Sequence, residues 1–460
     1  MSQKVDSRDH DSAEALRAPT IDSSGKRRWL YPVRLAGPRA SVRRFVAWVL
    51  IALYLVMPFI VVDGLPLIRL DVIGQKAYFF GAAFSFQEAG YLAFLLIGAA
   101  LLLFLMTSLF GRVWCGYGCP QTVFVEWVIR PIEEWIEGPA LRRKRRDEMG
   151  FSFDKAWRKV LKYVCFILVV SLISNAFLAY FVPPSELLKW VTSSPLDHPG
   201  GFAVMVSVSG LLFFDLVWFR EQFCSFLCPY ARFQSVMIDT YTPTIAYDKN
   251  RGEPRGKRSM QGDCIDCQQC VRVCPTGIDI RDGLQLECIQ CGRCADACDR
   301  IMVNLKRPLG LISMKSEAEL KSHKKHKKLR LRPVSYLLAF AVISSIAIVS
   351  VVTRDTLDIS IVRQRATTYV SMPNGKLANF FEIRVTNRSK HTQSLALASD
   401  LEGVEMICSI CEQDIKPFAE LKGNLIIAVG PNTVANTRIK ILPSKDLAQP
   451  FTLPMILPGS

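Results

Sequence analysis

Cys264, Cys267, Cys270 and Cys274 stand at the spacing C-x2-C-x2-C-x3-C, followed by Pro275. Cys288, Cys291, Cys294 and Cys298 repeat the spacing, with Asp299 in the proline position. Iron–sulfur clusters take soft thiolate ligands, four per [4Fe–4S] centre. Two-residue gaps let a tight loop wrap three corners of the cube, and in two-cluster ferredoxins the fourth cysteine of each run serves the other cluster. The spacing therefore predicts two [4Fe–4S] clusters, one on Cys264, Cys267, Cys270 and Cys298, the other on Cys288, Cys291, Cys294 and Cys274. Zinc also uses C-x2-C pairs, but its sites usually stop at four ligands in two separated pairs, so the doubled run favours iron. The short connection from Cys274 to Cys288 leaves the pairing of ligands less fixed than their identity.

A second set of thiols has a different setting. Cys115-Gly116-Tyr117-Gly118-Cys119-Pro120 and Cys224-Ser225-Phe226-Leu227-Cys228-Pro229 each follow a long apolar run, at the same offset in both cysteines. Proline suits the first turn of a helix. Cys119 and Cys228 are thus expected at positive helix ends, where thiol pKa falls and thiolate is favoured. Gly116 and Gly118 argue for a turn in the first element. Four converging thiols would suit Cu(I), zinc or another cluster. The plainer alternative is four small buried residues that merely pack; their occurrence in two related copies favours a metal or redox role. Cys115, Cys119, Cys224 and Cys228 are therefore the candidate catalytic and copper-binding residues.

Other residues carry less. Asp215 lies one turn inside an apolar run, where carboxylates are rare and often functional, although it is close enough to the surface to snorkel. Cys165 reads as packing. Cys408 and Cys411 read first as a disulfide on an oxidising side, with a copper site including Met406 as the alternative. The five histidines, at 10, 198, 323, 326 and 391, all fall outside the apolar runs, which argues against a b-type haem within them. No G-x-G-x-x-G opens a strand–helix unit and no P-loop occurs, so electrons must come from a partner, a quinol or a cytosolic donor.

The elements that position these residues are set by the membrane. Half of the 460 residues are hydrophobic, and five runs are long enough to cross a layer of roughly 30 Å: Phe45–Val62, Tyr91–Phe110, Tyr163–Val182, Phe202–Phe219 and Val334–Val352. The polar residues before the first run and the lack of a small-residue cleavage site argue against a cleaved signal. A net charge of +16 could suggest nucleic acid, but its distribution argues otherwise. Lys and Arg number ten in 1–44, two in 63–90, ten in 111–159, one in 183–201 and twenty-one in 220–333. That alternation follows the positive-inside rule. It puts the N-terminus and the cluster segment in the cytoplasm and the C-terminal tail outside, with Arg142–Arg146 and Lys321–Arg332 facing anionic lipid.

The expected organisation is a disordered basic segment 1–44, a four-helix membrane unit 45–219 built from two repeats, a two-cluster domain 220–333, a fifth helix 334–352 and an exported domain 353–460. Phe380–Asn387 and Leu425–Asn432 mix β-branched and aromatic residues and end in turn formers, so the tail reads as a small β-sandwich.

The two CxxxCP elements, CGYGCPQTVF at 115–124 and CSFLCPYARFQSVM at 224–237, together with the double cluster run, resemble the FixG/CcoG/RdxA family of cytochrome c oxidase accessory proteins. The resemblance covers most of the chain. It implies a multi-domain protein of the bacterial inner membrane: five transmembrane helices, a cytoplasmic ferredoxin-like insertion and a periplasmic Ig-like domain. It also implies assembly of a cbb3-type oxidase by reduction of Cu(II) to Cu(I). The partners would be membrane lipid, the oxidase or its assembly factors, copper ions or a copper chaperone, and an unidentified electron donor. The exported Cys408–Cys411 pair has no counterpart in that pattern. Two other readings stand beside it: a respiratory conduit fed by quinol or ferredoxin without a copper step, and a scaffold whose clusters only stabilise the fold.

Overall fold

The structure, a computed structural model, describes residues 20–455 except 22–23, 63, 73, 86–87, 257–261, 323–329, 365–368, 373–374, 390, 400–402, 412, 431–437 and 444–450. Residues 1–19 of the basic N-terminal segment and 323–329 of the second basic tract lie outside the described residues. The chain forms two compact units. The first comprises the described residues of Met1–Val61, Pro66–Ile73 and Gly90–Ser344, the second those of Val62–Leu65, Gly74–Ala89 and Ser345–Ser460.

Among the described residues five helices are long and apolar enough to cross a membrane: Pro38–Phe59, Gly90–Phe110, Phe153–Leu178, Pro199–Phe219 and Leu331–Val352. The first begins seven residues before the expected Phe45. Pro38 supplies the missing N–H and fixed φ that suit a first helical turn, so the helix extends through the basic stretch. In the first unit Ala47 and Ile51 pack with Phe166, Val170 and Ile173 of the third span and with Leu216 and Val217 of the fourth. The segment Val123–Ile129, which follows the first CxxxCP element, inserts into the same core.

The expected disorder through residue 44 does not describe residues 33–44. Val33 N–H donates to the Arg272 carbonyl at 2.9 Å, and Ala40 N–H donates to Asp296 at 3.1 Å. Arg39 pairs with Asp296 at 3.0 Å, and Arg300 donates to the Ala36 carbonyl at 2.8 Å. Basic residues there contact the cluster segment specifically, an arrangement that composition alone does not reveal.

The cluster segment is small and closed by a two-stranded antiparallel sheet, Thr244–Tyr247 against Ile312–Lys315. A short helix, Gln269–Arg272, follows Cys267, and a longer one, Arg293–Asn304, follows Cys291. Ile245, Ile278, Ile280, Met302 and Ile312 form its core together with the cysteines.

In the second unit the two stretches read as strands are partners. Leu377–Asn387 pairs antiparallel with Glu420–Val429, with Phe381 opposite Leu425. Leu357–Arg363 flanks the first of these and Glu405–Cys408 the second. A three-stranded sheet, Leu397–Ser399, Arg438–Pro443 and Phe451–Pro454, accompanies them. Phe381, Ile383 and Val385 point inward at every second position, as the strand period requires, and join Leu425, Ile427 and Ile415 in one core. The hairpin Lys76–Phe79/Ala82–Ser85, from the connection between the first two spans, belongs to this unit. There Glu88 pairs with Arg354 at 2.7 Å and with Arg388 at 2.6 Å. Cys408 and Cys411 form a disulfide.

Asn387 is fully buried, and its amide nitrogen donates to the carbonyls of His391 (2.7 Å), Ile415 (2.9 Å) and Lys416 (3.2 Å). Asn387→Ala orphans these acceptors and is expected to cost the tail about 2 kcal/mol. Pulse proteolysis of the full chain in urea should show the tail released at lower denaturant, with the cluster segment unaffected.

Candidate functional site

The eight cysteines of the double run surround two cavities. Cys264, Cys267, Cys270 and Cys298 line one of about 380 Å³, with Tyr247, Arg281, Met302 and Ile312. Cys274, Cys288, Cys291 and Cys294 line the other, of about 340 Å³, with Ile245, Ile278 and Ile280; Cys270 touches both. The chain returns the fourth cysteine of each run to the other run's cavity because the helices after Cys267 and Cys291 pack on each other. Among the described residues no three His, Cys, Asp or Glu side chains converge on a position for a single ion. A cubane spreads its four thiolates farther apart than one ion does, so apolar cavities with sulfur at the edges suit a polynuclear group.

Burial pushes Cys270, Cys288 and Cys298 up to about 12, and raises Cys274 and Cys294 as well. The cause is loss of hydration in an apolar cage, which disfavours thiolate until a cationic group is present. Loading therefore releases protons.

The first CxxxCP element lies directly on the second cavity. A Cβ on Gly116 would meet the Ile289 carbonyl at 2.5 Å and the Cys291 backbone at 3.3 Å. Glycine is thus required for the two loops to touch. Gln290 braces the same contact: its side-chain oxygen accepts from Arg112 N–H at 2.5 Å, and its amide donates to the Phe110 and Pro243 carbonyls at 3.1 Å each. Arg43, buried in the first span, donates to the Gly116 carbonyl at 2.8 Å.

A buried ionic network extends the contact. Glu126 pairs with Arg130 and, at 2.6 Å, with Arg293, which stands between Cys291 and Cys294. Arg130 also reaches Glu221 at 3.3 Å and donates to the carbonyl of Pro275, the residue after Cys274, at 3.0 Å. One turn on, Glu133 pairs with Arg220 at 2.5 Å and with Arg143. Sequence reasoning missed these residues except Arg143, which it placed among the lipid-facing Arg142–Arg146 and which is instead buried against Glu133. The only signal was Glu126 and Arg130 at i,i+4 just after CGYGCPQTVF, a pattern that ordinary surface helices share.

The four CxxxCP thiols approach one another without forming a ligand cage. Cys119 and Cys228 both sit at helix N-caps in nearly the same extended conformation, each followed by proline. Gln121 links the elements, donating to Asp215 at 3.2 Å and to the Arg220 carbonyl at 3.0 Å. Cys115 donates to Gln234 at 3.4 Å. Cys224 lines a cavity of about 300 Å³ that it shares with Glu126 and Arg220 and, from the cluster segment, Pro275, Thr276 and Ile289. The expected lowering of thiol pKa does not occur at Cys119. Backbone N–H groups of Gln121 and Thr122 favour its thiolate, but burial outweighs them and the pKa rises. Burial likewise lifts Cys115 to about 12 and raises Cys224.

Three family models match parts of the chain. A 4Fe-4S dicluster domain matches residues 219–261 and 255–317, and a 4Fe-4S binding domain matches residues 92–146. The IG-like fold at the C-terminal of FixG matches residues 347–450. Protein RdxA of Cereibacter sphaeroides is 33% identical over 81% of this chain and 82% of its own. Protein RdxB of the same organism is 34% identical over 82% of this chain and 85% of its own. Nitrogen fixation protein FixG of Rhizobium meliloti is 35% identical over 66% of this chain and 59% of its own. The molecule is a membrane electron-transfer protein with iron–sulfur clusters.

Gly116→Ala forces the two loops apart. With a cluster held in the cavity beside Cys291, it is expected to change that cluster's electron paramagnetic resonance signal while leaving the other signal unchanged. Glu133 gives a pH dependence. Burial alone would raise its carboxyl, but Arg220 and Arg143 outweigh burial and hold it at about 2 against an ordinary 4.5. A depressed folded-state value stabilises above the unfolded pKa and is lost as pH falls through the folded one. Glu133→Gln should therefore lower stability at neutral pH and flatten its fall between pH 4.5 and 2 in denaturant titrations.

Proposed function

The chain belongs to the FixG/RdxA family, and from that membership we propose that it reduces Cu(II) to Cu(I) for assembly of a cbb3-type cytochrome c oxidase. In this reading it lies in the bacterial cytoplasmic membrane with the cluster segment inside and the tail in the periplasm. The alternating Lys and Arg content of the connections supports that orientation.

We assign the clusters to the two sets of cysteines that line the two cavities. When bound, such clusters supply electrons singly, which is what Cu(II) accepts. The rest is the work of the chain's own residues. Gly116 permits backbone contact between the first CxxxCP element and the Ile289–Cys291 loop. This contact carries the proposal, because it places a thiol-bearing turn against the wall of a cluster cavity. Cys115, Cys119, Cys224 and Cys228 would bind the copper substrate, and soft sulfur favours the Cu(I) product. Cys115 is a neutral thiol at neutral pH, and burial disfavours its thiolate further, so copper capture releases protons from this site. Of these four thiols, Cys224 lines the cavity shared with Ile289.

Replacing Cys115, Cys119, Cys224 and Cys228 together by Ala should abolish Cu(II) reduction by the chemically reduced protein while iron content and cluster spectra stay unchanged. Undiminished copper reduction in that variant would place the reaction elsewhere. Wild-type protein that exchanges electrons with a membrane donor but ignores Cu(II) would instead be a conduit without a copper step.

A further inference from the structure

A cavity of about 950 Å³ opens beside the first turns of the first span, without a cysteine in its lining. Ala40, Arg44 and Trp48 of that span line it together with Trp127, Glu134 and Arg293. Trp48 is exposed, one turn beyond Arg44. Aromatic and basic anchors of this kind mark the boundary of the hydrocarbon layer, so the ligand can enter from the bilayer.

The cavity also touches the redox machinery. Arg293 stands between Cys291 and Cys294, is 3% exposed, and has no hydrogen-bond partner among the described residues for its Nε and Nη1. Arg34 donates to Oε2 of Glu134 at 3.1 Å, which leaves Oε1 for a hydroxyl. The lining carries three guanidiniums and one carboxylate: Arg34 pairs with Glu134, Arg293 shares Glu126 with Arg130, and Arg44 lies 5.8 Å from the Trp127 ring centroid. Trp48 and Trp127 offer apolar faces to a flat ring, and the Glu134 carboxylate offers an acceptor to its hydroxyl.

We propose that this cavity is a quinol site, where a lipid-soluble quinol from the bilayer gives its electrons to the clusters. The quinol loses two electrons and two protons and leaves as the quinone. Each electron reduces one iron–sulfur cluster by one charge, and both O–H protons pass through Glu134 to water. The inference rests on the cluster assignment above and is independent of the copper step.

The test uses the full chain in detergent, anaerobically, with its clusters oxidised, and two probes: decylubiquinol and a short-tailed menaquinol analogue. At least one should bleach the iron–sulfur absorbance, with two electrons taken up per quinol. Glu134→Gln should slow the bleaching by about a hundredfold, the loss expected for a general base, while still binding oxidised decylubiquinone in calorimetric titration. Ala36→Phe, at an exposed lining position, should abolish that binding. Dithionite should reduce both variants as fully as wild type. The inference is overturned if dithionite bleaches the clusters and neither quinol does, or if Ala36→Phe oxidises quinol at the wild-type rate. A copurifying anionic phospholipid that quinone fails to displace would also overturn it, by identifying a lipid site. Protein that fails with quinol yet converts Cu(II) after dithionite reduction loses this inference and keeps the copper reading.

Discussion

Glu126 is almost fully buried and holds two guanidiniums, one from its own helix and one from the cluster segment. A carboxylate withdrawn from water is tolerated only if it is paired, and removal of one partner from such a set costs about 3–5 kcal/mol. The network therefore does more than add stability. It selects one docking of the cluster loops on the helix that follows the first CxxxCP element, because any other docking would strand a buried charge. The close approach at Gly116, the clamp by Gln290 and the tethering of Pro275 by Arg130 all depend on that choice.

Docking of this kind also explains an arrangement that a soluble electron carrier does not need. A free ferredoxin presents its clusters to partners by diffusion. Here Cys291 lies against the backbone of the short helix that follows the second span, and Cys224 shares a cavity with Ile289. Electron transfer across packed backbone needs no diffusive encounter, so the cluster segment is fixed against the first CxxxCP element instead of presented to a mobile partner. The N-terminal segment reinforces the commitment, since Arg39 and Ala40 grip Asp296 in the helix that carries Cys294 and Cys298.

Two opposed effects act on the thiols. Helix ends and backbone N–H groups favour thiolate, whereas burial favours the neutral thiol. At Cys119 burial prevails, because a partial dipole charge is weaker than the loss of hydration in an apolar site. Neutral buried thiols resist adventitious oxidation and become ligands only when a cation offsets the cost. This suits both the cluster cavities and the CxxxCP elements.

The sequence by itself determined whatever depends on local spacing. The five apolar helices follow from run length, and the ligand types follow from the cysteine intervals. The helix-capping positions of Cys119 and Cys228 follow from the prolines beside them, and the pairing of Phe380–Asn387 with Leu425–Val429 is consistent with their strand-like composition. Only tertiary structure decided what depends on distant residues meeting. It drew residues 33–44 onto the cluster helix and placed the hairpin between the first two spans in the same unit as the tail. It also set Gly116 against Cys291, gathered Glu126, Arg130 and Arg293 into one network, and raised thiol pKa values that local dipoles would have lowered. Burial and ion pairing are properties of the whole packing, and no interval along the chain encodes which side chains will share a space from which water is excluded.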